Sequence, residues 1–291
     1  MLPAYGDGAL TRQAVDSVLG QDVGSGWSLH VVDDGQDDDL RRYVEGLDDP
    51  RATYRANPER LGINRNFQRC ADLATGDLVV VLGSDDVMEP HYVRAVVAAA
   101  QRHPGAWAVH PGVRVIDAHG LPSTGAVDRV KRLVRGRERV QERERGGEEL
   151  AASLLHGNWM YFPAVAFRRE PLQRYGFTPG LDIVLDLDLY LRMLVGGGTL
   201  LFTDEVAFRY RRHAASLSSQ SAGWGSRFAE ERRYFAATAP WMAQVGWSRA
   251  ARAARWHTTS RLNALSRLPA ALVARDRAAQ RRLLEHALTS G

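Results

Sequence analysis

The sequence predicts an α/β fold with a mostly parallel sheet, and three features carry that prediction. Residues 78–82 (Leu-Val-Val-Val-Leu) are uniformly aliphatic, as in a strand buried on both faces beneath covering helices. The first 35 residues run from a short apolar stretch, through a helical stripe of Leu10, Ala14, Val15, Val18 and Leu19, into a second strand over 27–32. Both of these strands end in paired acids, Asp33-Asp34 and Asp85-Asp86. Open α/β sheets bind ligands outside the carboxyl ends of their strands, so the acids mark the edge where a site is expected.

The first strand is stunted, since only Leu2 precedes Pro3. The polar loop 57–66 enters a helix whose stripe is Phe67, Cys70, Ala71 and Ala74, and Gly76-Asp77 hands over to the strand at 78–82. Val93, Val96, Val97 and Ala100 form a further amphipathic helix with Pro90 in its first turn. An extended stretch over 107–116 follows. From 117 to 147 periodicity fades and charge rises, which reads as a solvated helix or loop. Leu187, Tyr190, Leu191 and Leu194 make one helical stripe. Asp188 lies off it and is expected to pair with Arg192 at the surface, at i,i+4. Residues 224–291 are rich in Ala and Arg and predict a helical appendage packed on the core or on a twin chain. The expected domains are 1–220, carrying the chemistry, and 221–291.

Composition narrows the function. The 291 residues carry a formal net charge of +4, with Lys131 as the sole lysine. Cys70 is the single cysteine and sits on an apolar stripe, so it reads as a core residue; an internal disulfide and a cysteine metal cluster are excluded. The basic run 129–145 is interleaved with Glu138, Glu142 and Glu144 and lacks aromatics, so no nucleic-acid partner is expected. No apolar run reaches the ~20 residues of a membrane span. Met1 leads straight into Leu2-Pro3-Ala4-Tyr5 without a leader-like segment, and a cytoplasmic location is expected.

Adjacent carboxylates repel, so each pair sits either in water or around a cation. Oxygen donors suit Mg²⁺ or Mn²⁺, which also bind phosphate. The alternatives are ordinary: solvated loop acids for Asp85-Asp86, and an Asx turn before Gly35 for Asp33-Asp34. His156, Asn158 and Trp159 are candidates for an acceptor pocket, because an indole stacks on a pyranose face; a core Trp and a turn Asn fit equally. Asp186 falls near a helix start, where the dipole favours a carboxylate that projects into a cleft or merely caps the helix.

Together these stretches resemble the family 2 glycosyltransferases, which have the GT-A fold. The resemblance rests on Pro3-Ala4-Tyr5, Val31-Val32-Asp33-Asp34-Gly35, Asn57 with Leu61-Gly62 and Arg65-Asn66, and Leu82-Gly83-Ser84-Asp85-Asp86. It implies a metal-dependent, inverting transfer from a nucleoside-diphosphate sugar to an acceptor hydroxyl. Pro3, Tyr5, Asp7, Asp33 and Asp34 would form the nucleoside pocket, and Asn64, Arg65, Ser84 and Asp85 would contact the nucleotide sugar. Asp85 matches the last acid of a DxD-type metal motif. Gly83 stands where its first acid often lies, so Asp86 or Asp34 would supply that contact. Leu185-Asp186 resembles a Glu-Asp motif whose aspartate is the general base, with Leu185 in place of the glutamate. Arg211 and Arg212 would approach the diphosphate, and His213 would complete the Mn²⁺ or Mg²⁺ site. Two rivals remain: a sugar nucleotidyltransferase, disfavoured by the acid in Gly6-Asp7-Gly8, and an inactive nucleotide-sugar binder. Self-association through the C-terminal helices is a further expectation.

Overall fold

The computed structural model describes residues 1–5, 8–123, 142–212 and 226–288. Three parallel strands come first: β1 (Leu2–Ala4), β2 (Leu29–Asp33) and β3 (Ala52–Ala56), in the order β1-β2-β3. Between them run α1 (Gly8–Leu19) and α2 (Asp38–Glu45), and α3 (Ile63–Leu73) follows. The aliphatic run begins as β4 (Leu78–Val80). Met1 accepts a bond from the Leu82 N–H at 2.9 Å and donates its own amine to the Val80 carbonyl at 2.9 Å. That alternation is the parallel ladder pattern, so β4 lies beside β1 and joins the two halves of the sheet.

Beyond β4 the sheet is mixed. β5 (Val87–Met88), α4 (Tyr92–Arg102), β6 (Ala108–Ile116), β7 (Glu142–Gly146), α5 (Gly147–His156), β8 (Ala166–Arg168), α6 (Arg169–Tyr175), α7 (Leu185–Val195) and β9 (Thr199–Arg211) follow in the chain. The strand order is β4-β8-β6-β9-β5, with β7 also on β9; only β6 and β9 are parallel here. The α/β class is as expected, but parallel pairing is confined to β1–β3, the β1–β4 junction and β6–β9.

Period-two alternation explains why the strands read as fully buried. Val79 and Val81 face one core, with Phe167, Leu200 and Phe202. Leu82 faces the other, with Ala166, Leu201 and Val31, and Leu78 and Val80 pack against it. Val79 is buried on one face of β4, while Leu78 and Val80 on the other stay partly exposed.

Two expectations are corrected. Glu142–Gly146 is a strand, not part of a solvated helix or loop; it pairs antiparallel with Thr199–Thr203 of β9. Alternating charge suits such an outer strand, and Arg102 and His103 bind Glu142 there. Helix α7 is buried all round rather than along one stripe.

The C-terminal helices are α8 (Ser226–Gln244), α9 (Ser248–Trp256), α10 (Thr258–Val273) and α11 (Arg277–Leu288). Tyr234, Phe235 and Met242 of α8 and the buried alanines of α9 join the core that contains α5 and α7. Phe228, Ala264, Ala271, Ala279, Leu283 and Ala287 form a separate cluster that binds α10 and α11 to α8.

Candidate active site

The two acid pairs follow β2 and β4 at the same end of the sheet, as expected, but their carboxylates do different work. Asp33 is fully buried. It accepts the Gly35 N–H at 2.7 Å, the Asp37 N–H at 2.7 Å and the Tyr54 hydroxyl at 2.6 Å. Asp34 is buried and accepts the Leu61 and Gly62 N–H groups at 2.6 and 2.8 Å and the Asn57 amide at 2.9 Å. Loop N–H groups that lack ladder partners need acceptors, and these acids supply them. Asp33 and Asp34 thus shape the loops around the expected nucleoside position. Asn57 and Asn66 belong to the same network, since the Asn57 amide also donates to Asn66 Oδ1 at 2.9 Å.

The second pair is built otherwise. Asp86 is buried, and its Oδ1 accepts the Arg211 N–H at 2.7 Å. Its Oδ2 is buried with no hydrogen-bond partner among the described residues. Burial, and then the neighbouring Asp85 carboxylate, push the Asp86 carboxyl well above the usual range. Gly83 makes the arrangement possible: a Cβ there would lie 2.5 Å from Asp86 Oδ2 and 3.3 Å from Asp85 Oδ1. One oxygen of each acid thus crowds the same side of Gly83, and the acid absent at position 83 is matched by Asp86 folding back over the glycine. Two hard oxygens drawn close together, one of them without a hydrogen-bond donor among the described residues, suit a divalent cation that takes its other ligands from phosphate and water. Among the described residues no three His, Cys, Asp or Glu groups converge to hold an ion alone.

Arg211 is buried and ties this loop down. Its Nε donates to the Asp85 carbonyl at 2.6 Å, Nη1 to the Ala118 carbonyl at 3.1 Å, and Nη2 to Gln13 Oε1 at 3.0 Å. With all three nitrogens engaged in the protein, Arg211 acts as a strut in this structure. Arg212 is half-buried beside the Tyr210 ring, 5.5 Å from its centroid. Asp7 and His213 lie outside the described residues.

Other expected contacts sort in the same way. Pro3 is buried within β1, in register with Val32. Tyr5, just past the end of β1, is 40% exposed with the Arg60 guanidinium 4.3 Å over its ring, so its ring is accessible. The Asn64 amide donates to the Thr178 and Leu181 carbonyls at 2.9 and 2.6 Å, which ties α3 to the 178–181 loop. Arg65 is exposed and Ser84 half-buried, open to a ligand.

On the acceptor side, Asp186 occupies the first turn of α7 and is half-buried. Its Oδ2 accepts the Asn158 amide at 2.7 Å and its Oδ1 the Leu187 N–H at 2.8 Å. Asn158 therefore joins Asp186, as a shared pocket requires. Trp159 does not: it is a core residue, 3% exposed, packed on Phe202 at 5.1 Å and donating to Ser153 Oγ. His156 ends α5 exposed, with its carbonyl accepting the Thr259 hydroxyl at 2.8 Å. Asp188 is buried, not at the surface. It accepts the Thr178 hydroxyl at 2.6 Å and Arg192 Nε at 2.8 Å, because the chain before α7 folds over that face. The amino end of α7 is capped from α8, where Glu230 Oε1 accepts the Ile183 and Val184 N–H groups at 2.7 and 3.1 Å.

An α/β sheet with acids at its strand ends and a half-buried carboxylate in the first turn of a helix suits group transfer. Residues 1–176 match the family described as Glycosyl transferase family 2, and the chain belongs to that family. It is 27% identical over 223 residues to the uncharacterized protein MT1568 of Mycobacterium tuberculosis (strain CDC 1551 / Oshkosh), covering 75% of this chain and 67% of that protein. It is 28% identical over 172 residues to the uncharacterized glycosyltransferase alr2836 of Nostoc sp. (strain PCC 7120 / SAG 25.82 / UTEX 2576), covering 56% of this chain and 48% of that one. The fold is shared with S. aureus TarS 1-349 in complex with UDP-GlcNAc, at a TM-score of 0.68 and 12% identity over 98% of this chain and 78% of TarS 1-349. It is also shared with the mannosyltransferase PcManGT of Pyrobaculum calidifontis, in complex with GDP-Man and Mn²⁺, at a TM-score of 0.60 and 19% identity over 99% and 84%. The protein is a glycosyltransferase.

Proposed function

We propose that the chain transfers a sugar from a nucleoside-diphosphate sugar to an acceptor hydroxyl, with inversion and with a divalent cation at Asp85 and Asp86. The carrying observation is the approach of Asp85 Oδ1 and Asp86 Oδ2 to one point beside Gly83, with Asp86 Oδ2 buried and without a hydrogen-bond partner among the described residues. Mn²⁺ or Mg²⁺ bound there would offset charge on the departing diphosphate. The likeness in fold to proteins that bind UDP-GlcNAc and GDP-Man supports the donor class.

The remaining roles fall to this chain's own residues. Tyr5 offers an accessible ring to the base, in loops shaped by Asp33, Asp34 and Asn57. Ser84 and Arg65 approach the nucleotide sugar, and Arg212 the diphosphate. Asp186 takes the acceptor proton as the acceptor oxygen bonds to the anomeric carbon and the bond to the diphosphate oxygen breaks. The Asn158 amide fixes the orientation of that carboxylate. A single displacement of this kind inverts the anomeric centre.

Calorimetry with UDP, GDP and dTDP, each with and without Mn²⁺, tests the reading. Binding of one nucleotide should tighten with metal, and Asp85→Asn should abolish the enhancement. Binding that ignores metal in both proteins would remove the cation assignment, and no binding of any nucleotide would remove the donor class.

A further inference from the structure

Helix α10 is built inside out. Its buried positions are Ala264 and Ala271, while Leu262, Leu265, Leu272 and Val273 are 58%, 43%, 55% and 87% exposed. At 3.6 residues per turn these four and Pro269 fall within an arc of about 100°. An amphipathic helix normally turns such an arc toward the core. Here small residues face inward and large apolar ones face out.

A second exposed apolar strip lies on α11. On α11, Leu284 and Leu288 line a shallow groove with Arg277, Gln280, Arg281 and Glu285. Trp256, just before α10, is 59% exposed. Charge is concentrated in the same segment: residues 248–288 contain nine arginines against Asp276 and Glu285 alone, whereas the whole chain is only +4. The rest of the molecule is therefore net acidic, and its basic character resides in these helices.

We propose that the α10–α11 face docks on an anionic lipid surface. A basic amphipathic helix lies in the plane of such a surface, its apolar face among the acyl chains and its arginines among the headgroups. Arginine stems reach past buried leucines while their guanidinium groups stay with phosphate. Two alternatives are weaker on the same observations. A symmetric dimer through this face would set one arginine-rich patch against its own copy. Nucleic acid would engage the arginines and leave the leucines in water. The inference does not depend on the transferase chemistry.

Vesicle co-sedimentation tests it on the full chain. The protein should pellet with phosphatidylcholine vesicles containing phosphatidylglycerol at least about tenfold more than with pure phosphatidylcholine, and added salt should weaken the association. The triple substitution Leu265→Gln, Leu272→Gln, Val273→Gln should abolish pelleting, and Arg277→Gln with Arg281→Gln should reduce it. All five positions are exposed, so circular dichroism and melting temperature should stay as in the parent chain. Equal pelleting with neutral vesicles, or full pelleting by the folded triple variant, would overturn the proposal. So would a lipid-free dimer in light scattering that the triple substitution dissociates.

Discussion

Replacing Asp186 and Asp188 one at a time should separate chemistry from stability, although the two acids are a single residue apart on α7. Asp188 is buried and bonded to the Thr178 hydroxyl and to Arg192. Arg192 in turn donates to the carbonyls of Tyr175 and Gly176, so one acid anchors the chain that leads into α7. Removing one partner of a buried ion pair costs about 3–5 kcal/mol. The lower end applies to Asp188→Ala, because Arg192 keeps its two carbonyl acceptors. At roughly 2 °C per kcal/mol for a chain of this size, the melting temperature should fall by about 6 °C. Asp186→Asn removes a half-buried carboxylate whose Asn158 contact an amide oxygen can keep, so melting should barely move. Turnover should drop by about 10²–10⁴, the usual effect of losing a general base, with nucleotide affinity preserved. Differential scanning fluorimetry and donor-turnover assays on both variants read this directly. Normal turnover by Asp186→Asn would refute its assignment as base, and unchanged melting by Asp188→Ala would refute the buried pair.

Three further outcomes follow from the same geometry. Glu230→Ala removes the cap that α8 gives α7 and should cost about 1 kcal/mol, near the middle of the range for capping residues; melting tests it, and a turnover loss would show that the cap also holds Asp186 in place. Arg211→Gln should lower melting, since buried hydrogen bonds to the Asp85 and Ala118 carbonyls are lost; weakened donor binding with unchanged melting would instead make Arg211 a ligand. His286 is buried beside His257, Ser260 and Glu231, and burial brings its pKa down to about 4. The unfolded chain therefore binds its proton first, and stability should be lost as pH falls from about 6.5 through about 4; a His286→Gln variant should lose less melting temperature between pH 7 and 5.

The succession of strands and helices near the site was open to reading because its signals are local. A period-two aliphatic run such as 78–82 and a helical stripe over 10–19 each depend on neighbours in the chain. What escaped depends on partners far along it. Arg211 sits in a stretch of basic residues, and nothing nearby shows that its donors go to Asp85, Ala118 and Gln13. Asp188 stands four residues before an arginine, which suggests a surface pair until Thr178 is brought over it. Trp159 has the composition of a sugar platform and the surroundings of a core residue. The Glu230 cap joins residues 46 and 47 apart, across the expected boundary near 220.

The two Asp-Asp pairs show why spacing alone does not assign an acid. Both lie at a strand end on the same edge of the sheet, and as bare Asp-Asp pairs they read alike. Their fates diverge through what comes next. After Asp34 the chain continues into turns and loops whose N–H groups at Gly35, Asp37, Leu61 and Gly62 must find acceptors, and the carboxylates of the first pair satisfy them. After Asp86 the chain enters β5, which pairs with β9, so the ladder rather than the acids takes those backbone groups. Among the described residues the Arg211 N–H is the one donor that reaches the Asp86 carboxylate, and one buried oxygen is left over. A buried carboxylate oxygen without a donor is costly unless a proton or a cation neutralises it. That leftover lone pair, and not the Asp-Asp pattern, is what favours a cation at the second pair over the first.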